Sequence, residues 1–411
     1  MHVLFLALNY HPDKLGNAPL MTGMCEGLVR RGHRVTVVCA FPHHGTGRIE
    51  ASDRRKLYAR DHLNGVDILR TYIYAPEGGA VAKMANYASF TASAFAAGAT
   101  VRDVDVIFTP SPPLTLGLVD EALGRLHRAP FVYNLQDLFP EAAVRLGVLT
   151  NRRVIRAFEA LEARVYRKAT RLAVISEGFR RHLLDRGVPD EKIAVITNYT
   201  DTTLITPRER GDNRYRRAHG LEDAFVVQFS GRMGYSQGLE TVVAAWRLLG
   251  DLSDLRLMMV GDGQAQPMVA EAFARDPRVT VLPTQERADL PELLAAADVG
   301  LAPLRHGMAG TSVPSKIFGV MAAARPVIAG VDAGSDTEAL LHAADCGLVV
   351  PPEDAGALAA AIRALHGDRG RARAMGARAR EHVVAHYSQD AIVDRYEALL
   401  RSVVATGRGR A

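Results

Sequence analysis

Ala224-Phe225-Val226-Val227-Gln228-Phe229-Ser230-Gly231-Arg232-Met233-Gly234-Tyr235-Ser236-Gln237-Gly238-Leu239-Glu240 begins as an apolar, β-branched run, turns through glycines and opens a helix. Such a run reads as a buried strand, and the whole stretch as one strand–loop–helix step of a doubly wound sheet. Downstream, similar runs stand at Leu255–Val260, Arg278–Leu282, Val299–Pro303, Pro326–Gly330 and Gly347–Val350. Upstream they stand at His2–Leu8, Arg34–Ala40, Asp105–Thr109, Pro130–Asn134, Arg171–Ile175 and Ile193–Ile196. Alternating with helical stretches, they predict an α/β protein with parallel sheets covered on both faces.

A chain of 411 residues exceeds the roughly 250–300 that one core sustains, so two domains are expected. Residues 1–200 form the first Rossmann-like domain and 201–387 the second, with 201–217 as a polar linker. The tail, 388–411, carries Ile392, Val393, Tyr396, Leu399 and Leu400 at helical spacing and is expected to return to the N-terminal domain as a helix. The segment Val81–Val101, interrupted only by the charge of Lys83, reads as a helix buried on the first sheet, with a surface-lying membrane contact as the second reading.

With 48% hydrophobic and 23% charged residues, the composition is that of a folded globular protein, not a disordered or fibrous one. The N-terminus opens directly on a strand without a leader pattern, which gives a cytoplasmic location as the expectation. Cys25, Cys39 and Cys346 are odd in number and far apart, suiting small buried hydrophobes better than a disulfide frame or metal cage. The net charge of +5 is concentrated in residues 1–198, where 26 Lys+Arg face 19 Asp+Glu. That surplus suits an anionic acceptor or an acidic membrane surface, and equally a solvated arginine-rich exterior. No nucleic-acid motif accompanies it.

The chemistry-bearing residues follow strands. Gly231, Gly234 and Gly238 clear space for a polyanion, and the guanidinium of Arg232 could grip a diphosphate bidentately, or make a structural salt bridge. Gly261 and Gly263, in Val260-Gly261-Asp262-Gly263, suit a flat base against backbone, though taken alone they mark only a strand-end turn. Gly310, Thr311 and Ser312 lead to Lys316, one of only six lysines beside 44 arginines, just ahead of a helix. This is a second anion cradle, unless Lys316 is a plain surface lysine. In the first half, Gly16 and Asn17 lie in a loop after a strand, where a backbone could approach phosphate, or where Gly16 could simply serve a tight turn. Asp137 and Glu141, in Asn134-Leu135-Gln136-Asp137-Leu138-Phe139-Pro140-Glu141, could align or deprotonate an acceptor hydroxyl, or Asp137 could cap a helix.

Together these motifs resemble the retaining GT-B glycosyltransferases of family 4, in the group that builds exopolysaccharide and O-antigen, colanic acid enzymes included. The resemblance rests on Asn9-Tyr10-x-Pro12, Arg31-Gly32-His33-x-Val35-Thr36, Ser111-Pro112-Pro113-Leu114, Gln136-Asp137-x-x-Pro140-Glu141, Gly231-x-x-Gly234-x-x-Gln237-Gly238-Leu239-Glu240, Val260-Gly261-x-Gly263, Pro314-Ser315-Lys316 and Met321-Ala322-x-x-Arg325-Pro326-Val327-Ile328. It implies two doubly wound domains facing across a cleft, a nucleotide diphosphate sugar (UDP or GDP) as donor, and no metal or other cofactor. The acceptor would be a lipid-linked sugar or a small molecule, with peripheral membrane contact as an accompanying expectation. Gly16 and Arg232 would touch the diphosphate, and Gly261 and Gly263 the base. Gln237 stands where many relatives have a phosphate-binding lysine, leaving Lys316 to supply the charge. The paired glutamates of many relatives fall on Thr311 and Gly319. Two other readings share the architecture: a nucleotide-sugar binding protein without transferase activity, and a GT-B epimerase acting on nucleotide sugars.

Overall fold

Strand β1, His2–Ala7, is buried along its whole length in the computed structural model, which describes residues 1–13, 17–43, 49–50, 52–75, 80–145, 149–308 and 315–408. A strand with apolar side chains on both faces needs cover on both, and the chain supplies it by crossing between parallel neighbours through helices. Residues 1–197 with 392–411 form one unit, and 198–391 form another.

In the first unit the chain runs α1 (Ala18–Arg30), β2 (Arg34–Ala40), β3 (Tyr58–Leu63), β4 (Val66–Thr71), α2 (Ala80–Gly98), β5 (Val106–Pro110), α3 (Leu116–His127) and β6 (Phe131–Leu135). It continues through α4 (Glu141–Arg145), α5 (Arg152–Lys168), β7 (Arg171–Val174), α6 (Glu177–Asp185) and β8 (Ile193–Val195). The sheet order is β3-β4-β2-β1-β5-β6-β7-β8. Every pair is parallel except β3 with β4, an antiparallel hairpin. That hairpin is absent from the strand runs read in the sequence, because β3 is a polar, largely exposed edge. Its signal is Asn64-Gly65, both at positive φ (49° and 85°), the residue pair that a tight hairpin turn favours.

Helix α2 packs one face into the core, as the first reading of its segment expects, and leaves the other face exposed. Phe90, Ala94 and Ala97 enter the core, while Met84, Phe95, Ala88, Ala92 and Ala96 remain exposed. Among the described residues no helix is long and apolar enough to cross a membrane. All three cysteines are buried and unbridged.

The second unit begins with α7 (Arg214–Ala218), in which Tyr215 and Arg216 are buried. It continues through β9 (Phe225–Ser230), α8 (Leu239–Arg247), β10 (Leu255–Val260), α9 (Gln266–Phe273), β11 (Val279–Leu282), α10 (Leu290–Ala295) and β12 (Val299–Pro303). Then follow α11 (Lys316–Ala322), β13 (Val327–Gly330), α12 (Asp336–Ala344), β14 (Gly347–Val350), α13 (Ala355–Gly367) and α14 (Arg369–Tyr387). Its six strands, all parallel, stand in the order β11-β10-β9-β12-β13-β14. The first strand is therefore central and the winding reverses between β9 and β12, the place where doubly wound sheets open a crevice at their carboxyl edge. In the first unit the same reversal falls between β1 and β5.

The last helix, α15 (Gln389–Arg408), packs its residues from Ile392 onward into the first unit. Ile392, Val393 and Leu400 are fully buried, and each such aliphatic contributes about 1.5–3 kcal/mol. Val393 fits against Gly27 of α1, where a Cβ would stand 2.8 Å from its methyl. Arg31 pairs with Asp394 at 2.6 Å and His33 with Glu397 at 2.9 Å.

Candidate functional site

At the carboxyl edge of the second sheet the ends of β9 and β10 touch through their backbones. Gly231 N donates to Val260 O at 2.9 Å, Met233 N to Asp262 O at 2.9 Å, and Ala265 N to Met233 O at 2.9 Å. A Cβ on Gly261 would lie 1.9 Å from Gly231 O, and one on Gly263 would lie 2.5 Å from Met233 O. With φ of 139° and 148°, both positions also exclude most side chains by conformation. These two glycines thus have a packing reason that stands whether or not a base lies over them.

Lys316 opens α11, just beyond β12, and its side chain leans over the end of β9. Its Cε lies 3.5 Å from where a Cβ on Gly231 would be. The ammonium sits 3.9 Å from the centre of the Phe229 ring, a cation–π contact, and donates a hydrogen bond to Gln237 Oε1. Burial pushes the Lys316 ammonium down to about 7. Arg232, the next residue after Gly231, is exposed and makes no ion pair or side-chain hydrogen bond among the described residues. Lys316, Gln237, Gly231 and the backbone of Arg232 therefore meet at the switch point. Gly310, Thr311 and Ser312, and Gly16 of the first unit, lie outside the described residues.

Arg305 is a contributor that the sequence reading passed over. It follows β12, and its Nε donates to Tyr235 O at 2.7 Å while its Nη2 pairs with Glu240 at 2.7 Å. Its own N–H donates to Ser236 O at 2.9 Å. Arg305 thereby holds the short turn that presents Gln237 to Lys316. One arginine among many in a loop carries no sequence signal for this.

The first unit gathers its polar residues at the carboxyl edge too. Asn17 Nδ2 donates to Ser111 O at 3.3 Å, and Ser111 Oγ donates to Asp137 Oδ1 at 3.1 Å. Ser111 Oγ also accepts the Gln136 N–H at 3.0 Å. Gln136 Nε2 donates to Asn134 Oδ1 at 2.6 Å, and Asn134 Nδ2 donates to Tyr396 Oη at 3.1 Å. Half-buried Asp137 is thus joined to a chain of hydrogen bonds that runs back to α15. Burial first, and then the charge of Asp137, raise the Tyr87 phenol above its ordinary range, so α2 bears on the same carboxylate.

Glu141 is placed differently. It pairs with His182 Nδ1 at 3.1 Å and Arg186 Nη2 at 3.6 Å, both of the α6 region. Arg186 is shared with buried Glu162 at 2.6 Å. Glu141 is thus held by ion pairs to the α6 region, where Asp137 is held by Ser111.

The family description "Glycosyl transferase 4-like domain" matches residues 16–199, and "Glycosyl transferases group 1" matches residues 224–368. The chain is 28% identical over 268 residues to the glycosyltransferase named WbjE of Pseudomonas aeruginosa, covering 64% of this chain and 66% of that one. It is 25% identical over 376 residues to the Escherichia coli protein named as the colanic acid biosynthesis glycosyl transferase WcaI, covering 88% and 91%. Among solved structures, Anabaena Alr3699/HepE in complex with UDP and glucose superposes with a TM-score of 0.71 at 18% identity, over 98% of this chain and all of that one. Two Rossmann-like units, a glycosyltransferase match to each, and a relative aligned over 88% of the chain make one conclusion: the chain belongs to the GT-B glycosyltransferases of family 4.

Proposed function

We propose that the chain moves a sugar from a nucleotide diphosphate donor, bound by the second unit, to an acceptor bound by the first, with retention of anomeric configuration. The observation that carries this is Lys316, a lysine brought from the far side of the winding reversal onto Gly231, Phe229 and Gln237, beside Arg232. A departing diphosphate needs its growing charge met by fixed donors, and the two cations Arg232 and Lys316 are assigned to meet it without a metal. The donors to test first are UDP-sugars, since HepE is seen with UDP and glucose. GDP-sugars come next.

On the acceptor side, Asp137 is the carboxylate assigned to orient a hydroxyl, held by Ser111. The ion pairs of Glu141 favour a structural part for it. Between acceptor classes, an apolar groove in the first unit favours the lipid-linked one. It holds about 740 Å³ and is lined by Leu57, Tyr72, Ala92 and Ala96, with Arg60 at its side. Exposed Arg54, Arg55 and Lys56 stand just ahead of Leu57. A hydrocarbon face with a basic margin fits an anionic membrane surface. Flotation with phosphatidylglycerol vesicles at low salt is expected to carry the protein to the lipid fraction. Protein that stays at the bottom would count against the lipid-linked acceptor.

The transfer reading is tested by product formation from labelled UDP-sugars with the Arg232→Ala variant. Its kcat/KM is expected to fall by the equivalent of about 2–4 kcal/mol, as when one preorganised oxyanion donor is removed. Undiminished turnover in the variant would remove Arg232 from the site, and donor conversion without acceptor would point to an epimerase instead.

A further inference from the structure

The amino edge of the second sheet carries a cavity that the transfer reaction leaves unused. Phe225 starts β9, Asp298 stands just before β12 and Pro326 just before β13, and all three line it. Lys316 and Gly231 lie at the opposite edge, the length of β9 away, roughly 20 Å for six residues of strand. The cavity holds about 310 Å³, at the small end of the range for sites of small molecules.

Its lining is unusually cationic. Arg208 and Arg210 come from the segment ahead of α7, Arg325 from the turn before β13, and Arg369 and Arg373 from α14. The lining carboxylates are Glu209 and Asp298. Asp298 is already shared: it lies 3.2 Å from Arg210 and 2.7 Å from buried Arg216, and accepts the Val226 N–H at 2.8 Å. Arg208 is taken by Glu292 and Arg369 by Asp254.

Arg325 and Arg373 are left over. The guanidinium of Arg325 donates to backbone carbonyls, at 2.8 Å to Ala295 and 3.1 Å to Arg208. Its Nε is buried and has no hydrogen-bond partner among the described residues. Arg373 is exposed and makes no ion pair among the described residues. Burial, and after it the crowding of other guanidinium groups, Arg216 foremost, hold Arg210 and Arg325 below the usual arginine range, with Asp298 opposing. A buried charged N–H without an acceptor is costly, and like charges gathered in one recess add to that cost. An anion would relieve both.

We infer that this cavity is a second anion site, taking a small phosphorylated anion, with Arg325 and Arg373 as its ligands. Phosphate oxygens match the planar donor fork of arginine and can be shared among several forks at once. An occupant here ties together three segments remote in sequence: the one ahead of α7, the turn before β13, and α14. Its binding therefore stabilises the fold.

Inorganic pyrophosphate is the probe, used on the full chain. Because the carboxyl-edge site would take the same probe, titrations run in an Arg232→Ala/Lys316→Met background. There, pyrophosphate is expected still to bind by calorimetry and to raise the melting temperature. Adding Arg373→Ala, an exposed change that leaves the packing intact, is expected to weaken binding about tenfold, the loss of one charge-assisted contact. Arg325→Gln is expected to weaken it at least as much. Binding that vanishes in the background protein, or that neither Arg373→Ala nor Arg325→Gln weakens, overturns the inference.

Discussion

Lys316 joins two facts that pull against each other: it is assigned to hold a diphosphate, yet burial pushes it down to about 7. In an unfolded chain the same lysine keeps its proton to about 10.5. Between those values the unfolded state binds more protons than the folded one, so stability rises with pH across the window. Below about pH 7 both states hold the proton, and the cost of the buried charge is felt in full. Lys316→Met is therefore expected to raise urea-unfolding stability at pH 6 by up to roughly 5 kcal/mol, the fall from 10.5 to about 7 taken at 1.36 kcal/mol per pKa unit, with the gain shrinking by pH 9. A gain independent of pH would show that the lysine is not desolvated. Lys316 itself was legible in the sequence, being a rare lysine ahead of a helix beside glycines and hydroxyls. Its acceptor Gln237 is far off in sequence, and only the adjacency of β9 and β12 brings the two together. The ion pairs of Glu141 with the α6 region were hidden for the same reason: they cross elements, and no local spacing encodes them.

The paired loops after β9 and β10 set how closely a ligand can approach the sheet edge. In sequence Gly261 suits room for a base; in the fold its nearest constraint is the Gly231 carbonyl. Gly261→Ala must move that backbone and adopt a φ that alanine avoids, so a loss of roughly 2–4 kcal/mol in chemical unfolding is expected. Gly250, with nothing within 4 Å of its Cβ position, is the control, and Gly250→Ala is expected to stay within about 0.5 kcal/mol of the parent. Equal effects at the two positions would deny the close approach. Strands were the most legible elements wherever both faces are buried, as in β1 and β9, because their apolar runs are continuous. The edge strand β3, Tyr58-Ala59-Arg60-Asp61-His62-Leu63, lacks that run, since its face meets solvent. Arg305 was illegible in another way: it acts by clamping a turn, and the chain is crowded with arginine.

At the scale of the molecule, each unit winds outward from a central first strand, and each collects its candidate residues at the carboxyl edge of its own sheet. In the first unit these are Asn17, Ser111 and Asp137, and in the second Gly231, Gln237 and Lys316. The arginine-lined recess occupies the other edge of the second sheet, so the two proposed anion sites are separated by the sheet itself. Transfer by this chain turns on whether the donor diphosphate meets Lys316. A phosphate arriving beside a lysine that is mostly neutral at pH 8 draws a proton onto it, since an opposite charge favours the ammonium. Calorimetric titration of UDP at pH 8, in two buffers of different ionisation enthalpy, reads that proton directly. Net uptake in the parent protein, absent in Lys316→Met, is the predicted result; binding without proton uptake, or uptake unchanged in the variant, would contradict the assignment.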